Sequence, residues 1–331
     1  MQKEVERELA LFRKKTRDMV CGNILAESFS VDADGIKLQI PYYYLKGKLR
    51  ANVKKQPVIW VEAALHGDEY DGIITVMQLL EELKPEQLSG DVLLVPILNV
   101  SAYEGQANGS PVDGVNLNRV FDREQPGNTF SYKYGEVILG LILGIADCVV
   151  DLHGGGQYLD VDSFASVPRQ ANEKIESLAE QLQINYICRH LQKGMLIERL
   201  IGEGIPAILL ESGGGLSASD ATVRTHKENV LRILQYFGFL DNVPVKENEK
   251  KPVCITQAEH LYFQEPGVLL YNARVGDIVK KEDLLLSWVC TADGKKYELT
   301  CPIEKGVILS IHTSVQVRKG AYAVMIGHLE N

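Results

Sequence analysis

A histidine and a glutamate stand three residues apart in the segment ALHGDEYDG, residues 64–72, directly after the apolar run QPVIWVEAAL. His66 and Glu69 offer a nitrogen and an oxygen of the kind that a zinc ion accepts as ligands. The same spacing also arises by chance. Asp68 or Glu69 can begin a helix, because acidic groups are favoured at the positive end of the helix dipole. Taken alone, the segment leaves metal binding and helix capping open.

A second candidate ligand ends the apolar run DCVVDLHGGG, residues 147–156. His153 is followed by three glycines, which permit the close backbone approach that a ligand or a metal-bound substrate requires. Asp151 lies two residues earlier and therefore points to the same face of a strand, where it can orient the imidazole. Its alternative role is that of a buried acceptor for a loop.

A third polar residue ends the apolar run IPAILLESGGG, residues 205–215. A glutamate at the end of a buried strand is costly unless it is paired, protonated or functional. Two histidines and one glutamate as ligands would leave the fourth position of a catalytic zinc ion to water, whose pKa falls to about 7. Glu211 is then the candidate general base that takes the proton of that water.

The segment SPVDGVNLNRVF, residues 110–121, contributes a candidate anion site after an Asp-Gly turn. Asn118 and Arg119 together make a fork that suits a carboxylate. The alternative is a structural arginine that pairs with a surface acid.

Short apolar runs alternate with longer segments of helical period from about residue 52 to residue 239. The runs cover residues 57–65, 91–100, 147–153 and 206–212, and the helical segments include 72–83 and 221–239. Apolar strands separated by helices predict an α/β fold, with a mixed sheet covered by helices on both faces. In such sheets functional groups gather at the carboxyl ends of the strands. The apolar run 137–146 is too short for a membrane span and is predicted to be a buried helix.

The pattern changes after a charged, proline-containing linker at residues 241–253. Two similar segments begin at Gly267 and Gly306, and an Asp-Gly turn at residue 293 separates them. They predict a small all-β sandwich or barrel that resembles the barrel-sandwich of biotinyl and lipoyl carrier domains. The predicted domains are therefore 1–245, with residues 1–20 as a peripheral helix, and 246–331. Tyr262 and Phe263 could cover the active site, with core packing as the alternative.

The overall charge and the cysteines limit the class of protein. A net charge of -9 and a pI near 5.4 argue against a nucleic-acid partner, which normally requires a basic face. The N-terminal segment has no uninterrupted apolar stretch, so neither a signal peptide nor a membrane anchor is expected and a cytoplasmic location follows. The six cysteines form no C-x-x-C pair and are expected to be reduced. Self-association through an apolar edge or the β domain is left open.

The order H-x-x-E, N-L-N-R, D-L-H-G-G-G and L-E-S-G-G-G resembles the succinylglutamate desuccinylase/aspartoacylase family, a branch of the zinc carboxypeptidase-like hydrolases. The resemblance covers residues 20 to 331, because the bacterial branch also carries a C-terminal β domain. It implies one Zn²⁺ per chain and hydrolysis of an N-acyl amino acid, or a close amide, to a carboxylate and an amine. The resemblance implies that His66, Glu69 and His153 are the metal ligands and that Glu211 is the general base. It also implies that Asn118 and Arg119 hold the substrate carboxylate.

One position departs from the pattern that the resemblance implies. Relatives commonly carry an arginine three residues before the proline of this segment, where it can stabilise the oxyanion of the tetrahedral intermediate, but this chain has Asn108. An oxyanion donor is worth about 3 to 4 kcal/mol of barrier. Either Asn108 acts as a neutral donor, Arg169 or Arg123 substitutes, or catalysis is slow. Arg169 is also a candidate second contact for a substrate anion, with a surface loop position as the alternative.

Two further functions compete with an amidohydrolase for small N-acyl amino acids. A zinc carboxypeptidase for short peptides would use the same groups in an open cleft. A catalytically weak zinc protein with a binding role would fit the missing arginine at Asn108.

Overall fold

The computed structural model describes residues 2–51, 53, 55–169, 171–189, 192–214, 218–241 and 250–330. The α-helices are α1 (Gln2–Arg17), α2 (Tyr70–Glu82), α3 (Val100–Glu104), α4 (Phe130–Ile145), α5 (Glu173–Ala179), α6 (Leu196–Gly202) and α7 (Asp220–Tyr236), with short 3₁₀ helices at Pro85–Gln87 and Leu117–Arg119. The strands are β1 (Ile24–Ala33), β2 (Ile36–Leu45), β3 (Val58–Ala63), β4 (Asp91–Val95), β5 (Cys148–His153), β6 (Leu159–Ser166), β7 (Tyr186–Cys188), β8 (Ala207–Gly214), β9 (Val253–Ile255), β10 (Ala258–Tyr262), β11 (Gly267–Asn272), β12 (Ile278–Lys280), β13 (Leu284–Cys290), β14 (Lys296–Thr300), β15 (Lys305–His312), β16 (Gln316–Val317) and β17 (Tyr322–His328).

The centre of the main sheet consists of the four apolar runs that the sequence analysis singled out. They form β4, β3, β5 and β8, which lie side by side and parallel. Helices α1, α4 and α6 cover one face, and α2, α5 and α7 cover the other. Residues of β3, β4 and β5 are buried along their whole length, which explains why these strands are apolar on both sides. The predicted α/β fold with a mixed sheet is confirmed.

The apolar run at residues 137–146 belongs to α4, a buried helix, as predicted. Its two glycines lie where α1 crosses it. A Cβ on Gly140 would come within 2.9 Å of the Val5 side chain, and one on Gly144 would overlap Leu9. The glycines therefore let the two helices approach closely, and α1 covers the core from outside. None of the helices in the described ranges is long and apolar enough to cross a membrane.

The C-terminal part is built from two copies of one unit. Each unit has a long strand, a short strand and a second long strand: β11, β12 and β13 in the first, and β15, β16 and β17 in the second. The short strand of each unit pairs with the first strand of the other, β12 with β15 and β16 with β11. This exchange packs two sheets around one core that contains Phe263 and Trp288, which explains the repeat in the sequence. The Asp-Gly turn joins β13 to β14, as predicted.

The two parts of the chain share the main sheet, which the sequence did not predict. The sheet continues from β8 through β6 to β15, β17 and β10, and Ser310 of β15 pairs with Val161 of β6. Strand β9 also pairs with β7 of the first part. The predicted boundary between residues 245 and 246 falls in the stretch 242–249, outside the described residues.

We expect Leu309→Ala to destabilise both parts together. Leu309 is fully buried in a core that contains Val161 and Phe164 of β6 and Val307 of β15. Loss of its side chain should cost about 2–5 kcal/mol. Chemical denaturation should show one cooperative transition at lower denaturant concentration, whereas two separate transitions would contradict a shared core. Leu270→Ala is the matched control, because Leu270 is 59% exposed and should change stability by only about 0.5 kcal/mol.

Candidate metal centre and active site

The carboxyl ends of β3, β5 and β8 meet at one edge of the sheet and bring the predicted site residues together. His66 follows β3 by three residues, and His153 is the last residue of β5. Glu211 of β8 is the direct register partner of His153. The parallel pairing of these strands is what joins segments that are far apart in the sequence.

The Glu69 carboxylate lies between the two imidazoles. Its Oε1 is 2.7 Å from Nδ1 of His66, and its Oε2 is 2.9 Å from Nδ1 of His153. The imidazole rings meet edge to face with centroids 4.8 Å apart. One ligand atom from each of the three buried residues lies within 4.8 Å of the others, so they form a group that could hold a metal ion.

The outer nitrogen of each imidazole is held by a separate partner. His153 Nε2 is 3.0 Å from Oδ2 of Asp151, and His66 Nε2 is 3.0 Å from Oδ1 of Asn116. Both Nδ1 atoms therefore point to the common centre. Such outer partners are typical of metal-binding histidines, and the donor set fits a three-ligand metal site with an open fourth position. Asp151 lies where the sequence predicted, but Asn116, two residues before Asn118, was missed.

The acids of the first segment do not cap α2 with their side chains. Glu69 occupies the N-cap position, but no hydrogen bond from its side chain closes the helix, because the carboxylate faces the histidines. Asp68 Oδ2 instead accepts from the backbone N–H of Gln157, 3.2 Å away, and so fixes the loop after β5. Glu69 therefore begins the helix, as one of the two acids was expected to do, but its side chain forms no capping hydrogen bond.

The glycines after His153 also allow close contacts within the protein. A Cβ on Gly155 would overlap the carbonyl oxygen of Leu159, so the chain needs glycine there to pack against its own backbone. Gly156 has φ +57° and lies against Asp68. Gly154 and Gly155 also line the cavity, so the close approach of a ligand to them stays a prediction.

The charges of the three candidate ligands depend on one another. Burial would raise the pKa of the Glu69 carboxyl, but His66 and His153 offset it and lower that pKa to about 2. Burial would lower the pKa of His153, but the carboxylates of Asp151 and Glu69 raise it well above its usual value. The metal-free centre therefore favours protonated imidazole, and metal binding must displace protons.

Glu211 lies beside the three candidate metal ligands. It is half-buried and lines the cavity, and its Oε2 has no hydrogen-bond partner in the described part of the chain. Burial raises the pKa of its carboxyl to about 8, and the nearby charges of Glu69 and Asp151 act in the same direction. A carboxyl group that titrates near neutral pH suits proton transfer.

A cavity of about 460 Å³ opens in front of these residues, and both parts of the chain line it. The C-terminal part contributes the following side chains: His260, Tyr262, Ser310, His312, Gln316, Arg318, Ala321, Tyr322 and Met325. Tyr262 therefore lines the cavity, as considered, whereas Phe263 is buried in the C-terminal core against Trp288. No sequence pattern indicates Arg318 or Tyr322, because only the fold brings them here. Arg318 lies over the Tyr158 ring at 5.9 Å.

Arg119 and Asn118 have different surroundings. Arg119 is half-buried and lines the cavity, donating to the Asn118 carbonyl oxygen at 2.6 Å and to Gln192 Oε1. Burial lowers its pKa. Asn118 is buried and does not line the cavity, and its Oδ1 accepts from the backbone N–H of Leu196 at 2.8 Å. Of the two residues of the predicted fork, only Arg119 lines the cavity, whereas Asn118 joins its 3₁₀ helix to α6.

Asn108 is the only one of the three candidates for the missing arginine that lines the cavity in the described ranges. Its Oδ1 accepts from Nδ2 of Asn116 at 3.0 Å. Arg123 forms an ion pair with Glu203, away from this cavity. Arg169 is exposed beyond the end of β6 and does not line the cavity, so its predicted anion contact is wrong. The reason is that β6 runs antiparallel to β8, so its carboxyl end leads away from the sheet edge where His153 and Glu211 lie.

The mixed sheet thus carries three candidate metal ligands beside a carboxylate, an arrangement that a metal-dependent hydrolase would use. Residues 55–237, more than half of the chain, match the family model of the succinylglutamate desuccinylase/aspartoacylase catalytic domain. The chain belongs to this family.

Known proteins resemble the chain over most of its length. The N-alpha-acetyl-L-2,4-diaminobutyric acid deacetylase of Halomonas elongata is 25% identical over 245 residues, 69% of this chain and 69% of the relative. The product-bound structure of the ectoine utilization protein EutE (DoeB) of Ruegeria pomeroyi has a TM-score of 0.79 at 22% identity, covering 94% of this chain and 97% of that one. A succinylglutamate desuccinylase/aspartoacylase of Rhodobacter sphaeroides has a TM-score of 0.76 at 21% identity, covering 94% and 98%. These two structures share the fold, including its C-terminal part.

The raised pKa of Glu211 predicts how the stability of the metal-free protein depends on pH. A carboxyl whose folded pKa of about 8 exceeds its usual value of 4.5 stabilises the fold below pH 4.5, and this contribution is lost as the pH rises to about 8. We expect wild type to lose stability relative to Glu211→Gln across that window and the difference to level off above it. Denaturant titrations of both proteins at several pH values measure this. A difference independent of pH would contradict the assigned pKa.

Proposed function

We propose that the protein is a zinc-dependent hydrolase that cleaves the amide bond of small N-acyl amino acids or closely related amides. The observation that carries the proposal is the convergence of His66, Glu69 and His153 beside Glu211 at the wall of one cavity, which His66, Glu69 and Glu211 line. Membership of the family supports an amide-cleaving reaction, since one relative is named as a deacetylase. Two histidines and one carboxylate form the ligand set that a catalytic zinc ion uses.

Two polar residues of the cavity, Glu211 and Arg119, have distinct tasks in this reaction. A bound Zn²⁺ would supply Lewis acidity to the substrate carbonyl and to the attacking water. Glu211 takes the proton of that water through its free carboxylate oxygen and then delivers it to the departing amine nitrogen. Arg119 holds the carboxylate of the amino acid and so fixes the amide beside Glu211. Positive charge at the ligand set lowers the pKa of Glu211 and favours its basic form.

The shape of the cavity favours small substrates over peptides. Strands β10, β15 and β17 contribute side chains to its wall, so the space in front of Glu211 is bounded on the C-terminal side. Its volume of about 460 Å³ is within the range of about 300–1,000 Å³ that is typical of small-molecule sites. A carboxypeptidase needs an open cleft for a longer chain. The deacylase is therefore preferred to the peptidase.

We expect the zinc-loaded protein to hydrolyse N-acetyl or N-succinyl amino acids, and Glu211→Gln to lower kcat by about 10²- to 10⁴-fold, because the proton acceptor is lost. Release of free amine measures the reaction, with dipeptides and N-acetyl-2,4-diaminobutyrate in the panel. Turnover of dipeptides alone would favour the peptidase. An inactive wild type with unaltered binding properties in the Gln variant would favour the non-catalytic alternative.

Zinc content provides the control for these measurements. Glu211→Gln should keep about one zinc ion per chain, since Glu211 is outside the ligand set. His153→Ala should lose it, and a full equivalent of zinc in that variant would refute the proposed ligands.

For Arg119→Met we expect KM to rise by about 10- to 100-fold with a smaller change in kcat, because a charge-assisted hydrogen bond to the substrate carboxylate is lost. Steady-state kinetics with one N-acyl amino acid measure the effect. The matched control is the same substrate with its carboxylate converted to an amide, for which wild type and variant should differ little. Equal losses on both substrates would show that Arg119 acts on the fold and not on the carboxylate.

A further inference from the structure

Glu62 is a buried carboxylate to which the proposed mechanism gives no task. It lies in β3 with 0% of its surface exposed. Its register partners are Val95 on β4 and Asp151 on β5. Because register partners on neighbouring strands point to the same face of a sheet, Glu62 has an apolar neighbour on one side and Asp151 on the other.

In Glu62 and in Asp151, one oxygen of the carboxyl group has a hydrogen-bond partner. Trp60 Nε1 donates to Oε2 of Glu62, and Oδ2 of Asp151 is 3.0 Å from Nε2 of His153. The remaining oxygens, Oε1 of Glu62 and Oδ1 of Asp151, are both buried without a hydrogen-bond partner in the described part of the chain. Buried polar atoms are rarely left in this state, so the pair calls for a donor.

One proton between Oε1 of Glu62 and Oδ1 of Asp151 would satisfy both oxygens. A carboxylic acid has an O–H that a carboxylate lacks, so a protonated Glu62 can donate to Oδ1 of Asp151. Two adjacent buried carboxylates are not both ionised, because neither charge is solvated and each repels the other. The proton is assigned to Glu62, because Oδ2 of Asp151 already faces Nε2 of His153 at 3.0 Å. Consistent with this, burial and the charge of Asp151 raise the pKa of Glu62 well above its usual value.

We propose that Glu62 is a positioning residue of the metal centre, a carboxylic acid that holds Asp151 by a hydrogen bond and thereby fixes the ring of His153. The inference rests on the proposed zinc site. The hydrogen bonds that hold the His153 ring would then span two strands, from Trp60 through Glu62 and Asp151 to the imidazole. Fixing the ring aims Nδ1 at the metal, and such outer partners typically change metal affinity by about 10- to 100-fold.

The test compares zinc dissociation constants of wild type, Glu62→Gln and Glu62→Leu by competition with a chromogenic chelator. The Gln amide can accept from Trp60 and donate to Asp151, so Glu62→Gln should bind zinc within about twofold of wild type. Glu62→Leu has no donor and should bind zinc about 10-fold more weakly or worse. Asp91→Asn is the matched control: Asp91 is 1% exposed at the opposite end of the sheet, so its loss should leave zinc affinity unchanged.

The outcomes separate this inference from the proposed zinc site. Wild-type affinity in Glu62→Leu would overturn the role of Glu62 and leave the zinc site standing. Equal losses in Glu62→Gln and Glu62→Leu would also overturn it, because the amide should suffice. Failure of the wild type to bind zinc would instead refute the zinc site.

A spectroscopic measurement covers the case in which Glu62→Leu does not fold. Infrared spectra recorded in the Glu211→Gln background should contain the carbonyl band of a buried protonated carboxylic acid. The band should persist with Asp91→Asn and disappear with Glu62→Gln. Its absence before Glu62 is changed would overturn the proposal.

Discussion

Three parallel strands must end at the same edge of the sheet for this site to exist. The pairing of β3 with β5 and of β5 with β8 places His153 opposite Glu211 and brings the turn after β3 beside both. A shift of one residue in either pairing would turn the alternate side chains to the opposite face, where α2 and α7 pack. The long apolar runs of these strands build the core, and their burial on both faces also fixes the pairing register. The positions of the polar residues at the strand ends depend on that register.

The same edge concentrates negative charge inside the protein. Four carboxyl groups lie close together there, those of Glu62, Glu69, Asp151 and Glu211, and the charge of Asp151 raises the pKa values of Glu62 and Glu211. Two imidazoles and the Arg119 guanidinium offset part of this charge. A divalent cation would offset more of it, so the electrostatics and the ligand geometry favour the same occupant. The acidic surroundings and the proposed metal are two aspects of one arrangement.

The sequence predicted the parts of the site that lie within single strands and their ends. His66, Glu69, His153, Asp151 and Glu211 each follow or end an apolar run, and such positions can be recognised because parallel strands place them at one edge. The prediction for Arg169 was wrong because β6, the strand before it, runs antiparallel to β8. Sequence patterns do not report the direction of a strand. Apart from Tyr262, the C-terminal residues of the cavity could not be identified, because they meet the site only through the pairing of β15 with β6. Glu62 lies inside an apolar run, so the sequence pattern does not distinguish it from the core residues around it. Its proposed role depends on the residue of β5 that lies beside it, Asp151.

The pairing of β15 with β6 also determines whether the hydrolase part could exist by itself. Between Leu159 and Val161, β6 hydrogen-bonds to β15 on the side away from β8. Without residues 250–330 this stretch would be an exposed sheet edge beside the apolar side chains of Val161 and Phe164, which is the arrangement that promotes pairing between molecules and aggregation. The C-terminal part is thus an edge protector as well as a wall of the cavity. Loss or exchange of this part in a related chain would require another strand or a covering loop at the same place.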